Sequence, residues 1–150
     1  MAQLSLEDRA EIHDLYMLYP HAFDGGDADA WVGLFAKDAR FTVPGAPTIV
    51  GPDAMREFIT TRNASTPGMR HLMANVLIES DGRGVTGRAY FLAVRLAEDG
   101  SFRLRNIGRY EDEFIREDGS WKFSARTVIS ELAPDLIDAQ FAFAALAGVG

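Results

Sequence analysis

The chain of 150 residues contains no cysteine, so it can form neither a disulfide nor a thiolate nucleophile, and thiolate metal sites are excluded. It has no apolar run long enough to cross a bilayer. Its opening, MAQLSLEDRAE, is acidic where a secretory signal would be basic and then apolar, so a cytoplasmic location without membrane contact is expected. The formal net charge is −7 and there is no long run of Lys or Arg, which makes nucleic acid and other polyanions poor partners. Histidine is scarce as well. His13 and His21 lie on one helical stretch about 12 Å apart at the helical rise, too far to share an ion. No HExxH spacing, Walker loop or GxGxxG is present, so neither a metal nor another cofactor is expected. The chemistry left open is proton transfer by side chains.

What is present suits a globular chain. With 47% hydrophobic and 25% charged residues, the sequence fits one domain over residues 1–150 that buries about two-thirds of its unfolded surface. Ser5-Leu6-Glu7-Asp8 has capping-box spacing with Asp in place of Glu, and Ile12, Leu15, Tyr16, Tyr19, Ala22 and Phe23 follow at helical intervals. Pro20 predicts a kink in this first helix, and Gly25-Gly26 predicts its end, which places Asp24 at the exit. Asp27 can cap a short second helix running through Leu34-Phe35. A strand follows over Arg40 to Val43, then the loop PGAPTIVGP, and a third helix beginning at Pro52 and stopping near residues 65–68.

From Met69 the pattern alternates with period two, in runs at about 69–80, 84–97, 102–116 and 120–131 separated by Asp-Gly turns, which reads as consecutive antiparallel hairpins. Helices followed by a strand meander predict an α+β fold in which a curved sheet wraps around the helices. The tail DAQFAFAALAGVG reads as a terminal helix or an oligomer contact.

Alternation places His71 on one face with Met73, Asn75 and Leu77. If that face meets the helices, His71 can approach Asp24. A carboxylate bonded to an imidazole fixes its tautomer and stabilises the imidazolium formed on proton uptake. The residues alone leave a second reading open, in which His71 is a structural histidine with satisfied bonds and Asp24 a polar helix end or a partner of His21. Tyr19 can donate its phenol to a developing oxyanion, or sit in the core with its hydroxyl at the rim. Trp31, Phe41, Phe58, Met69 and Phe91 are candidates for the lining of an apolar pocket, or ordinary core. Arg126 orients a polar substrate group or balances Asp24, or is a solvated strand charge.

Three stretches, IHDLYMLYPHAFDGGDADAWVGLFAKDARF, RHLMANVLI and GRYEDEFIREDGSWKFSAR, resemble the SnoaL-like branch of the nuclear-transport-factor-2-like superfamily over nearly the whole chain. The resemblance implies a cone-shaped α+β barrel and a homo-oligomer, dimer or trimer. Within the superfamily the chain is similar to cofactor-independent lyases such as scytalone dehydratase, bile-acid 7α-dehydratase and hexachlorocyclohexane dehydrochlorinase. That similarity implies an Asp24–His71 dyad, a catalytic Tyr19 and a late-strand Arg126. It points to elimination from a small hydrophobic cyclic or aromatic substrate, dehydration or formaldehyde release among the reactions. The chain lacks the extra histidine of scytalone dehydratase. An isomerase or polyketide cyclase is the enzymatic alternative, and a non-catalytic subunit like the small subunit of ring-hydroxylating dioxygenases, or a ligand-binding module, is the alternative of another class.

Overall fold

The computed structural model describes residues 4–132; the tail considered above for a helix or an oligomer contact lies outside them. Helix α1 (Leu6–Gly25) starts on a complete capping box, in which the Ser5 hydroxyl accepts the Asp8 N–H at 3.0 Å and the Asp8 carboxylate accepts the Ser5 N–H at 3.0 Å. It buries Ile12, Leu15, Tyr16, Tyr19, Ala22 and Phe23 on one stripe, runs on through Pro20, and ends at Gly26 in the left-handed conformation.

Asp27 caps α2 (Ala28–Val32), its carboxylate accepting the Ala30 N–H at 3.0 Å. This helix is shorter than its sequence predicts. Leu34 and Phe35 do not extend it, because Phe35 opens strand β1 (Phe35–Thr42), which pairs in parallel with the last strand through Phe35 and Phe123. After β2 (Ile49–Val50) comes α3 (Pro52–Ser65), which has proline in its first turn and turns Met55, Phe58 and Ile59 inward.

Four long strands complete the chain, β3 (Met69–Ser80), β4 (Val85–Leu96), β5 (Phe102–Glu117) and β6 (Ser120–Ser130), close to the predicted runs. The sheet order is β2-β1-β6-β5-β4-β3, antiparallel except where β1 joins β6. The helices occupy one face, and the α+β expectation holds.

Strand β3 departs from strict alternation near its middle. Asn75 sits at a bulge with φ 54, and the pairing shifts between Ala74 and Leu77. The extra residue reverses the phase of the strand: His71 and Met73 face the interior, Asn75 and Leu77 are exposed, and Val76 and Ile78 turn inward instead. Among the described residues, no helix is long and apolar enough to cross a membrane.

Candidate active site

Asp24 leaves the last turn of α1, and His71 is the third residue of β3. Their meeting is fixed at two points. Asp24 Oδ1 lies 2.6 Å from His71 Nδ1, and Asp24 Oδ2 accepts the His71 backbone N–H at 2.7 Å. The backbone bond ties the carboxylate to the strand whatever the state of the ring, and Oδ1 then selects the tautomer in which Nδ1 carries the proton. Nε2 is left as the acceptor. The two side chains are only 7% and 9% exposed, so this pair acts in a medium of lower dielectric than water.

Aromatic rings enclose the imidazole. Phe23 meets it edge to face at 5.3 Å and Phe91 tilts toward it at 6.4 Å. Behind this pair stand two tyrosines, Tyr19 stacked on Phe23 at 5.6 Å and Tyr110 against Phe91 at 4.7 Å. Behind these lies Arg126, with its guanidinium carbon 4.2 Å from the ring centres of both Tyr19 and Tyr110. On the outer side, a depression of about 340 Å³ lined by Pro20, His21, Asp24, Gly25, Arg70 and His71 leads to the dyad.

The structure sorts the candidates. Asp24, His71 and Phe91 meet directly, and Met69 faces inward two residues before His71. Trp31, Phe41 and Phe58 form an aromatic cluster that reaches the site through Phe23. The solvated reading of Arg126 is overturned: its side chain is 0% exposed and it binds both carboxylate oxygens of Asp112, at 2.7 and 2.8 Å. Burial works against its charge, but the Asp112 carboxylate together with Tyr19 and Tyr110 more than offsets it and holds the guanidinium protonated above the ordinary arginine range. The Tyr16 hydroxyl donates to Asp112 at 2.7 Å.

Nor does Tyr19 keep its hydroxyl at the rim. The residue is buried, and desolvation pushes the phenol up to about 12, with Arg126 and Trp31 acting in the opposite sense. Burial raises Tyr110 and Tyr16 as well.

Three residues escaped the sequence reading: Phe23 as a wall, Tyr110 and Asp112. A signal existed for two of them, since Gly108, Tyr110, Asp112 and Phe114 alternate inward and Asp112 stands directly across from Arg126. Among the described residues, no group of three or more His, Asp or Glu is placed to hold a metal ion.

A curved, mostly antiparallel sheet that closes helices over an Asp–His pair places the molecule among the cystatin-like, nuclear-transport-factor-2-like folds. Comparison with known proteins narrows this. Residues 4–127 match the SnoaL-like domain, and the chain belongs to that family. It is 27% identical over 141 residues to gamma-hexachlorocyclohexane dehydrochlorinase of Sphingobium indicum, covering 91% of this chain and 89% of that protein. A candidate aromatic ring hydroxylase of Novosphingobium aromaticivorans is 31% identical with TM-score 0.76, over 87% of this chain and 94% of that one. A nuclear-transport-factor-2-like protein with a cystatin-like fold, from the same species, is 25% identical with TM-score 0.76, over 91% and 90%.

Proposed function

We propose that the protein is a cofactor-independent lyase in which His71 takes a proton from a carbon of a small hydrophobic, cyclic or aromatic substrate and a leaving group departs from the adjacent carbon. The observation that carries this reading is the two-point hold of Asp24 on His71 inside an aromatic shell. Asp24 orients the ring and stabilises the imidazolium, Nε2 is the base, and Tyr19, kept protonated by burial, is a donor for a substrate oxygen. Phe23, Phe91 and Met69 supply apolar contact, and Trp31, Phe41 and Phe58 back them. Arg126 holds the tyrosines in place through its ring contacts while Asp112 neutralises it. The similarity to a dehydrochlorinase supports elimination as the reaction class.

The outer face of the sheet supports assembly. Leu72, Leu92 and Ile107 stand in register across β3, β4 and β5, all exposed, with Tyr90 and Leu104 beside them. A row of this kind suits burial against a second copy, in keeping with a homo-oligomer, dimer or trimer.

The test is turnover. A panel of cyclic alcohols, halides and diaryl compounds is screened for elimination, and His71→Ala is compared with wild type on any hit. Loss of about 10²–10⁴-fold in kcat/KM is expected for removal of a general base. Full activity in His71→Ala would sink the mechanism.

A further inference from the structure

The row of the sheet that holds His71 carries a second polar residue. His71 pairs with Ala93 on β4, and Ala93 pairs with Asn106 on β5, so the three stand in line across neighbouring strands. All three turn to the inner face, Ala93 in alternation with Phe91, and Asn106 with Gly108, Tyr110 and Asp112. Register shifts bracket the row, one between Ala74 and Leu77 and the other between Ala93 and Val94. Irregularities of this kind re-aim side chains beside active sites.

The row has a direction. The His71 N–H donates to Asp24 rather than to β4, which puts Asp24 outside the edge strand. Asp24 also holds Nδ1, so the ring is pinned from the edge and Nε2 is turned back over the sheet toward Ala93 and Asn106. Two strand spacings, about 10 Å, separate the backbones of His71 and Asn106. The side chain between them is a methyl group.

Asn106 is 6% exposed. Its Oδ1 accepts the Ser130 hydroxyl at 2.7 Å, which fixes the amide plane and turns Nδ2 the other way; among the described residues that nitrogen has no acceptor. A buried amide N–H without an acceptor is costly, so a donor kept in this state suits a ligand that brings one. The amide is neutral and offers no counter-charge, which favours a neutral oxygen over an anion in this interior.

We propose that Asn106 selects the ligand: its amide N–H takes the oxygen of a conjugated cyclic ketone whose far side presents a C–H to Nε2 of His71. Binding of this kind does not depend on the reaction. The catalytic consequence rests on the lyase reading above. As the proton passes from carbon to Nε2, the electron pair of the C–H bond moves through the conjugated ring onto the oxygen, where the bond from Asn106 strengthens with the charge. The pair then returns and expels the leaving group from the adjacent carbon.

Two probes of one skeleton, α-tetralone and tetralin, are titrated into wild type, Asn106→Leu and Ser130→Ala, followed by intrinsic fluorescence and by the Asn106 side-chain amide resonances in nitrogen-edited NMR. Wild type should bind the ketone about three- to tenfold more tightly than the hydrocarbon, the scale of one neutral hydrogen bond. The amide resonances should move for the ketone and stay in place for tetralin. Asn106→Leu should lose the preference while holding tetralin at least as well, and Ser130→Ala, whose amide is no longer fixed, should keep part of it.

The same preference in wild type and Asn106→Leu overturns the proposal, as does a wild type that does not favour the ketone. Weakening of both probes alike in Asn106→Leu would mark Asn106 as structural and overturn it too. If Asn106→Leu does not fold, the wild-type amide resonances decide, and their failure to move with α-tetralone sinks the proposal. Should His71→Ala keep full turnover while the ketone preference stands and depends on Asn106, the lyase reading falls and the acceptor site remains; a missing preference beside an inactive His71→Ala gives the reverse.

Discussion

Asp24 grips His71 twice, by its ring and by its backbone, with both carboxylate oxygens acting as acceptors at 2.6 and 2.7 Å. Asparagine cannot reproduce this, because it has a single acceptor oxygen. The backbone N–H of His71 is an obligate donor and claims that oxygen, so the amide NH₂ of Asp24→Asn faces Nδ1 and forces the proton onto Nε2.

Asp24→Asn should therefore lower kcat/KM about as severely as His71→Ala, by roughly 10²–10⁴-fold, while leaving thermal stability close to wild type. The double variant should be little worse than the worse single, since residues acting as one unit do not add. Steady-state kinetics on the four proteins checks this. An inactive Asp24→Asn beside a fully active His71→Ala would make Asp24 the base and favour the isomerase alternative.

The buried pair of Arg126 and Asp112 should show its worth only when one member is removed. Arg126→Met leaves a carboxylate in the core with Tyr16 as its remaining donor among the described residues, a loss of about 3–5 kcal/mol. Arg126→Met combined with Asp112→Asn should recover part of that loss. Chemical denaturation of both variants measures it, and equal stability of the single and double variants would contradict the account.

Two glycines leave room for neighbours. A methyl group at Gly108 would run into the Ile129 carbonyl of the paired strand, and at Gly87 it would meet the Tyr16 hydroxyl and lie 2.8 Å from Phe114. Gly108→Ala and Gly87→Ala should each cost about 1–3 kcal/mol, as overpacking does. Gly84, with nothing within 4 Å, is the control, and Gly84→Ala should leave the unfolding midpoint nearly unchanged.

Alkaline pH should unfold the protein through its interior tyrosines. Tyr19 is raised from 10.0 to about 12, and Tyr16 and Tyr110 are also raised by burial. In that range the folded chain holds protons that the unfolded chain has released, so stability is full below pH 10 and falls as pH rises toward 12. Phenolate absorbance should grow together with loss of circular dichroism. Tyrosine ionisation that runs to completion before unfolding would refute this.

Much of the architecture is local and was legible in the chain. The capping box of Ser5 and Asp8, the helical stripe from Ile12 to Phe23, the stop at Gly26 and the Asp-Gly turns act over a few residues, and periodicity reports them directly. Asp24 at a helix exit and His71 on an inward strand face were placed by that same logic, and family resemblance paired them. Tertiary structure decided the rest, because it turns on contacts between residues far apart in sequence. The bulge at Asn75 sent Leu77 outward against simple alternation. Parallel pairing with β6 drew Phe35 out of a helix. Arg126, for which its own strand left a substrate-orienting and a solvated reading open, is buried with Asp112 set opposite it by β5.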